Sequence, residues 1–195
     1  MIWPILFLRV LTILIFFPGI FYQLYDKTIG TRLGTTDKFV LSLITAACLS
    51  LILVRDRMLL IVLVVALLVP VIQVVVELHS FKYLKKVFKQ KKFLLQTLIL
   101  IPFLEEYIFR YVLYELLMEH DVPGLFYIIF SALVFVFLHY YQLKGNAFYK
   151  GVLGVMLAAI FLFTGNLFLV ILIHVVFNVI VYLLKYTNHY TGYEV

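Results

Sequence analysis

The chain has 195 residues, 65% of them hydrophobic and only 13% charged, with a mean hydropathy of +1.12. A soluble domain is about half apolar and about a quarter charged, so an ordinary water-soluble globular fold is excluded. The net charge of +6 does not point to nucleic acid either, because the basic residues lie in short stretches between apolar runs, the pattern of a protein held against anionic lipid.

Seven apolar segments follow one another along the chain: 2–24, 39–54, 58–76, 93–118, 125–143, 151–164 and 167–184. A helical span needs roughly 20 mostly apolar residues. Only helices and closed barrels cross lipid, and runs this continuous do not alternate as barrel strands do. The predicted fold is therefore all-α: a polytopic transmembrane helical bundle of about seven spans, forming one transmembrane domain over 1–195. The first run carries Arg9 and no small-residue cleavage site, and reads as a retained span rather than a signal peptide. Cys48 is the single cysteine, which leaves no partner for an intrachain disulfide. Segment 151–164 is short, and its start could lie earlier, near Ala147.

Charge sets the expected orientation. Connectors 25–38, 77–92 and 144–150, with Lys185, hold twelve Lys and Arg residues, whereas the opposite side holds only Arg55 and Arg57. By the positive-inside rule the first side is cytoplasmic, which puts the N-terminus outside and the C-terminus inside a plasma membrane, bacterial by composition. Connector 77–92 carries six lysines around Phe81, Leu84 and Phe88. It can be read as an amphipathic surface helix on anionic lipid or as a solvated basic loop.

Charged side chains deep in a span are costly, and they mark function or pairing. The fourth segment carries three of them in Pro102-Phe-Leu-Glu105-Glu106-Tyr-Ile-Phe-Arg110. Glu105 lies roughly 18 Å along the helix from Phe93, far from either interface. Glu106 and Arg110 are four apart, share a face and are expected to pair. Glu105 is rotated roughly 100° from Glu106 and can face the bundle without a same-helix cation, the setting expected of a general base. His139 lies in the fifth segment, and His174 and Asn178, again four apart, in the seventh. His174 and Asn178 could donate two hydrogen bonds to a developing oxyanion, and the plainer reading of each is a helix–helix hydrogen bond. His139, His174 and Glu105 would also suit zinc. The helical motif His-Glu-x-x-His is absent, however, and no Cys joins the group, so the preferred reading requires no cofactor.

Glu105-Glu106-x-x-x-Arg110, Phe135-x-x-x-His139 and His174-x-x-x-Asn178, in that order on successive apolar segments, resemble the signature of the CPBP family of intramembrane proteases. That family includes the Ras-converting CAAX endopeptidase, the Abi proteins of bacteriocin self-immunity and relatives of lysostaphin resistance protein A. The resemblance covers about 93–184 and implies a peptidase with Glu105 as catalytic glutamate and His139 as its partner in activating water. It further implies that His174 and Asn178 polarise the scissile carbonyl, and that Glu106 and Arg110 support the site. The implied partners are membrane lipids and a peptide or membrane-protein substrate, in peptide maturation or bacteriocin self-immunity. Two other readings remain open: a non-catalytic immunity or partner-binding protein, and a small transporter using Glu105 and the histidines as a proton relay.

Overall fold

The computed structural model describes residues 2–53 and 91–191 and, between them, positions 58, 61, 62, 64, 65 and 68. The connector at Arg55–Arg57, most of segment 58–76 and all but the end of the lysine-rich connector 77–92 lie outside the described residues. Every described element is helical, so the all-α bundle expected from the unbroken apolar runs is what forms.

The first apolar run is not one straight span. It divides into α1 (Ile2–Phe16) and α2 (Gly19–Ile29), and the arms Phe7–Phe16 and Gly19–Arg32 are bent by 81°. Pro18 is the cause: it has no N–H for the carbonyl of Leu14, and its ring clashes with that carbonyl. Apolar continuity hid this break, and a single span over 2–24 is corrected to a bent pair. A 3₁₀ turn, Gly30–Arg32, leads to α3 (Thr35–Leu53), which starts four residues before the apolar run that announced it. Lys38 at its base pairs with Asp26 of α2 at 2.6 Å. The buried residues Phe39, Leu43, Ala46, Ala47 and Ser50 recur every three or four positions, the stripe by which α3 faces the bundle.

From 92 to 118 the backbone is continuously helical, and we treat it as one helix, α4. It is α-helical over Lys92–Leu95, Ile101–Glu106 and Leu113–Met118, and π-helical over Gln96–Leu100 and Tyr107–Val112. In the first wide turn the Ile101 N–H reaches back to the carbonyl of Gln96, and after the second the Leu113 N–H reaches that of Ile108. The first wide turn directly precedes Pro102, whose missing donor interrupts the regular ladder. Such turns are rare and gather at functional sites. Every residue from Ile101 to Arg110 is buried, which makes α4 the central helix. Its N-terminal end is tied to α3: Asp37 pairs with Lys92 at 2.6 Å and accepts from Gln96 Nε2 at 2.8 Å. Deeper in, the hydroxyls of Ser50 and Tyr107 share a hydrogen bond at 3.2 Å.

α5 (Gly124–Leu143) and α6 (Ala147–Thr164) form a tight antiparallel pair. A Cβ on Gly154 would lie 3.2 Å from the Ala132 Cα, and one on Gly151 would lie 3.0 Å from a Val136 methyl. Small residues thus let the two backbones approach, the usual device of helix pairs in lipid. α6 ends at Gly165 with φ +61°, its N–H bonded to the carbonyl of Phe161 at 2.8 Å. The Asn166 side chain then accepts from the Leu169 N–H at 3.0 Å and caps α7 (Leu167–Thr191). The Gly165–Asn166 pair is therefore a two-residue turn between helices. Of the described helices, Thr35–Leu53 and Ala147–Thr164 are long and apolar enough to cross a membrane, and the bent first pair passes that test jointly.

Candidate active site

Three helices deliver the polar residues to one place. α4 brings Glu105, Glu106 and Arg110, α5 brings Ser131 and His139, and α7 brings His174; all six side chains are buried. Arg110 and Glu106 are fully enclosed, with Arg110 Nε 3.1 Å from Glu106 Oε2. The N–H does not aim at that oxygen, so the contact is an ion pair without a hydrogen bond. Arg110 is held on its other sides by Ser131 Oγ, which accepts from Nη1 at 2.8 Å, and by the Phe135 ring, whose centroid lies 5.1 Å away.

Glu106 does more than pair with Arg110. Its Oε1 lies 2.8 Å from His174 Nδ1, and since a carboxylate can only accept, Nδ1 carries the proton. His139 Nδ1 lies 2.9 Å from the carbonyl of Phe135, which likewise fixes its proton on Nδ1. In its neutral form each imidazole is then left with a lone pair at Nε2. Both Nε2 atoms lie near Glu105: His139 Nε2 is 3.6 Å from Oε1 and His174 Nε2 is 3.9 Å from Oε2. Glu105 Oε1 and His174 Nε2 are buried with no hydrogen-bond partner in the protein. The Phe135 ring packs against both imidazoles, with centroids 4.5 Å from that of His139 and 5.8 Å from that of His174.

Of the residues singled out from sequence, the structure brings together Glu105, Glu106, Arg110, His139 and His174. Asn178 stands one turn along α7 from His174, half-buried, and among the described residues makes no hydrogen bond to the cluster. The expected oxyanion role of His174 meets a constraint: with Nδ1 committed to Glu106, its Nε2 accepts unless the ring gains a second proton. The sequence reading overlooked Ser131, whose signal was its spacing: Ser131, Phe135 and His139 lie four apart on one face of α5. It also left Lys150 in a connector. Lys150 lies inside α6, half-buried, with Nζ 5.6 Å from the Phe177 ring next to Asn178.

The donor set of two imidazoles and a carboxylate is one that zinc accepts. Among the described residues, however, no three His, Cys, Asp or Glu side chains are disposed to hold a metal ion. A small hydrogen-bond donor such as water matches the spacing, since it can bridge acceptors that stand too far apart to touch.

Residues 89–180 match the family model of Rce1-like, type II CAAX prenyl endopeptidases. No curated protein and no solved structure matches the chain. This part of the chain is thus similar to the CAAX protease family, the family that its three motifs resemble, and it lies in a helical bundle with helices long and apolar enough to cross a membrane.

Proposed function

From that family likeness and the geometry of the buried cluster, we propose that the chain is a glutamate-dependent intramembrane endopeptidase. Its substrate is a membrane-associated peptide or protein segment, and its setting is peptide maturation or bacteriocin self-immunity. The observation that carries the reading is the convergence of three buried groups able to accept hydrogen bonds, Glu105, His139 Nε2 and His174 Nε2. Acceptors gathered in this way are suited to a molecule that brings its own protons. A water molecule there donates one hydrogen to Glu105 and the other to an imidazole Nε2.

The reaction follows from those roles. Glu105 takes a proton as the water oxygen forms a bond to the scissile carbonyl carbon. The carbonyl π electrons move onto its oxygen, which Asn178 stabilises through its side-chain amide. Collapse of the tetrahedral intermediate breaks the C–N bond, and Glu105 returns its proton to the leaving amine. His139 holds the water against Glu105, and the Glu106–Arg110 pair holds His174. No covalent acyl-enzyme forms.

Glu105→Gln tests this reading because it keeps shape and hydrogen bonding but cannot accept the proton. Peptides from cells carrying wild-type protein are compared with those from cells carrying the variant at equal folded amounts. Products are expected to vanish with Glu105→Gln, and the products so identified are then regenerated with purified protein in lipid. Full cleavage by Glu105→Gln would refute the mechanism and favour a binding role. Proton-driven transport lost in the same variant would favour the relay.

A further inference from the structure

The hydroxyl of Ser131 sits where α4 is π-helical, and it makes two short contacts there. It donates to the carbonyl of Phe109 at 2.7 Å and accepts from Arg110 Nη1 at 2.8 Å. Ser131 is completely buried, as is Arg110. The Phe109 carbonyl lies within the Tyr107–Val112 wide turn, so the hydroxyl satisfies a backbone acceptor at the point where the helix departs from its regular ladder. By the same atom it directs the guanidinium toward Glu106, and Glu106 in turn receives the Nδ1 proton of His174. A hydroxyl on α5 is thereby connected, through two side chains of α4, to an imidazole on α7.

We propose that Ser131 is a positioning residue: through Arg110 and Glu106 it holds His174 in the tautomer with Nδ1 protonated and Nε2 facing Glu105. Three features favour this over a purely structural hydrogen bond. Arg110 Nη2 and Nε have no hydrogen-bond acceptor of their own, so Ser131 is the main directional restraint on the guanidinium besides the weak 3.4 Å contact of Nη1 with the Phe109 carbonyl. The Glu106 contact lacks a linear hydrogen bond, and its geometry therefore depends on where Arg110 is held. The His174 ring also has no second protein partner at Nε2, so its tautomer is set from the Nδ1 side alone. Partners of this kind, standing behind a functional histidine, fix its proton and ring plane.

The inference concerns the same site as the proposed peptidase reaction, but its test does not require catalysis. Protein labelled with ¹⁵N-histidine is purified into lipid nanodiscs, and the imidazole nitrogen and Nδ1 proton resonances are recorded for wild type, Ser131→Ala and Ser131→Thr. His174→Gln supplies the assignment by loss of signal. His139 donates to a backbone carbonyl of its own helix and serves as the internal control for folding. In Ser131→Ala the His174 Nδ1 proton resonance is expected to broaden or disappear, and the ring nitrogens to report a mixture of tautomers, while His139 stays in place. Ser131→Thr, which keeps the hydroxyl, restores the wild-type pattern. Where cleavage can be measured, kcat falls roughly 10–100-fold in Ser131→Ala with KM unchanged, by analogy with partners of metal-ligating histidines. An unchanged His174 signal in Ser131→Ala overturns the proposal. So does equal disturbance of His139 and His174, or a folded Ser131→Thr that fails to restore the pattern.

Discussion

Arg110→Ala isolates the energetics of the buried cluster. The substitution removes a guanidinium with no solvent exposure, 3.1 Å from Glu106. Breaking a buried pair by removing one member costs about 3–5 kcal/mol, because the surviving charge is stranded. Here two details place the cost inside that range rather than above it. Glu106 keeps the Nδ1 hydrogen bond of His174 at 2.8 Å, and Ser131 keeps its bond to the Phe109 carbonyl at 2.7 Å. A loss of about 4 kcal/mol lowers the folded-to-unfolded ratio about a thousandfold, a large share of the 5–15 kcal/mol typical of a folded protein. Thermal unfolding in lipid nanodiscs, followed by aromatic circular dichroism, reads this directly. Arg110→Met combined with Glu106→Gln removes both charges and is expected to regain most of the loss, as apolar or neutral replacements of buried pairs do. A normal melting curve for Arg110→Ala would refute the reasoning, and so would a double variant as unstable as the single one.

Other outcomes follow from the same geometry. Glu105→Gln and His139→Ala act on one water, so each abolishes cleavage and the double variant is no slower than either alone; a further large loss in the double variant would show independent roles. Asn178→Ala removes one oxyanion donor and is expected to lower kcat about 10²–10³-fold without loss of folded protein; an unchanged kcat would remove Asn178 from the mechanism. From the charge asymmetry, the turn between α5 and α6 is expected on the cytoplasmic side. A cysteine at the exposed Gly145 in a Cys48→Ser background is therefore expected to resist an impermeant thiol reagent on intact cells, and ready labelling would reverse the orientation.

Sequence spacing carried some of this site and not the rest, for physical reasons. The Glu106–Arg110 pair was legible because four residues on a helix bring side chains together whatever surrounds them. The inward aim of Glu105 followed from the same rotation rule. The contact between His174 and Glu106 was not legible, because 68 residues separate the partners and only the packing of α7 against α4 unites them. The wide turns of α4 left no mark in composition beyond Pro102, which announces a missing donor but not how the backbone absorbs it. At Pro18 the opposite error arose: a continuous apolar run outweighed a residue that breaks helices.

The close seating of Gly154 on Ala132 has a mechanical meaning. Two backbones in such contact cannot slide or separate without losing it, so α5 and α6 are expected to tilt as one lever that carries His139 and Ser131. Glu105 belongs to α4, across a seam. The 3.6 Å gap between His139 and Glu105 is therefore set by how that lever leans against the central helix. Lean is what a bilayer controls: a change of a few ångströms in hydrocarbon thickness retilts its helices. On that reading, hydrocarbon thickness bears on the spacing of His139 and Glu105, an influence that a water-soluble protein does not meet.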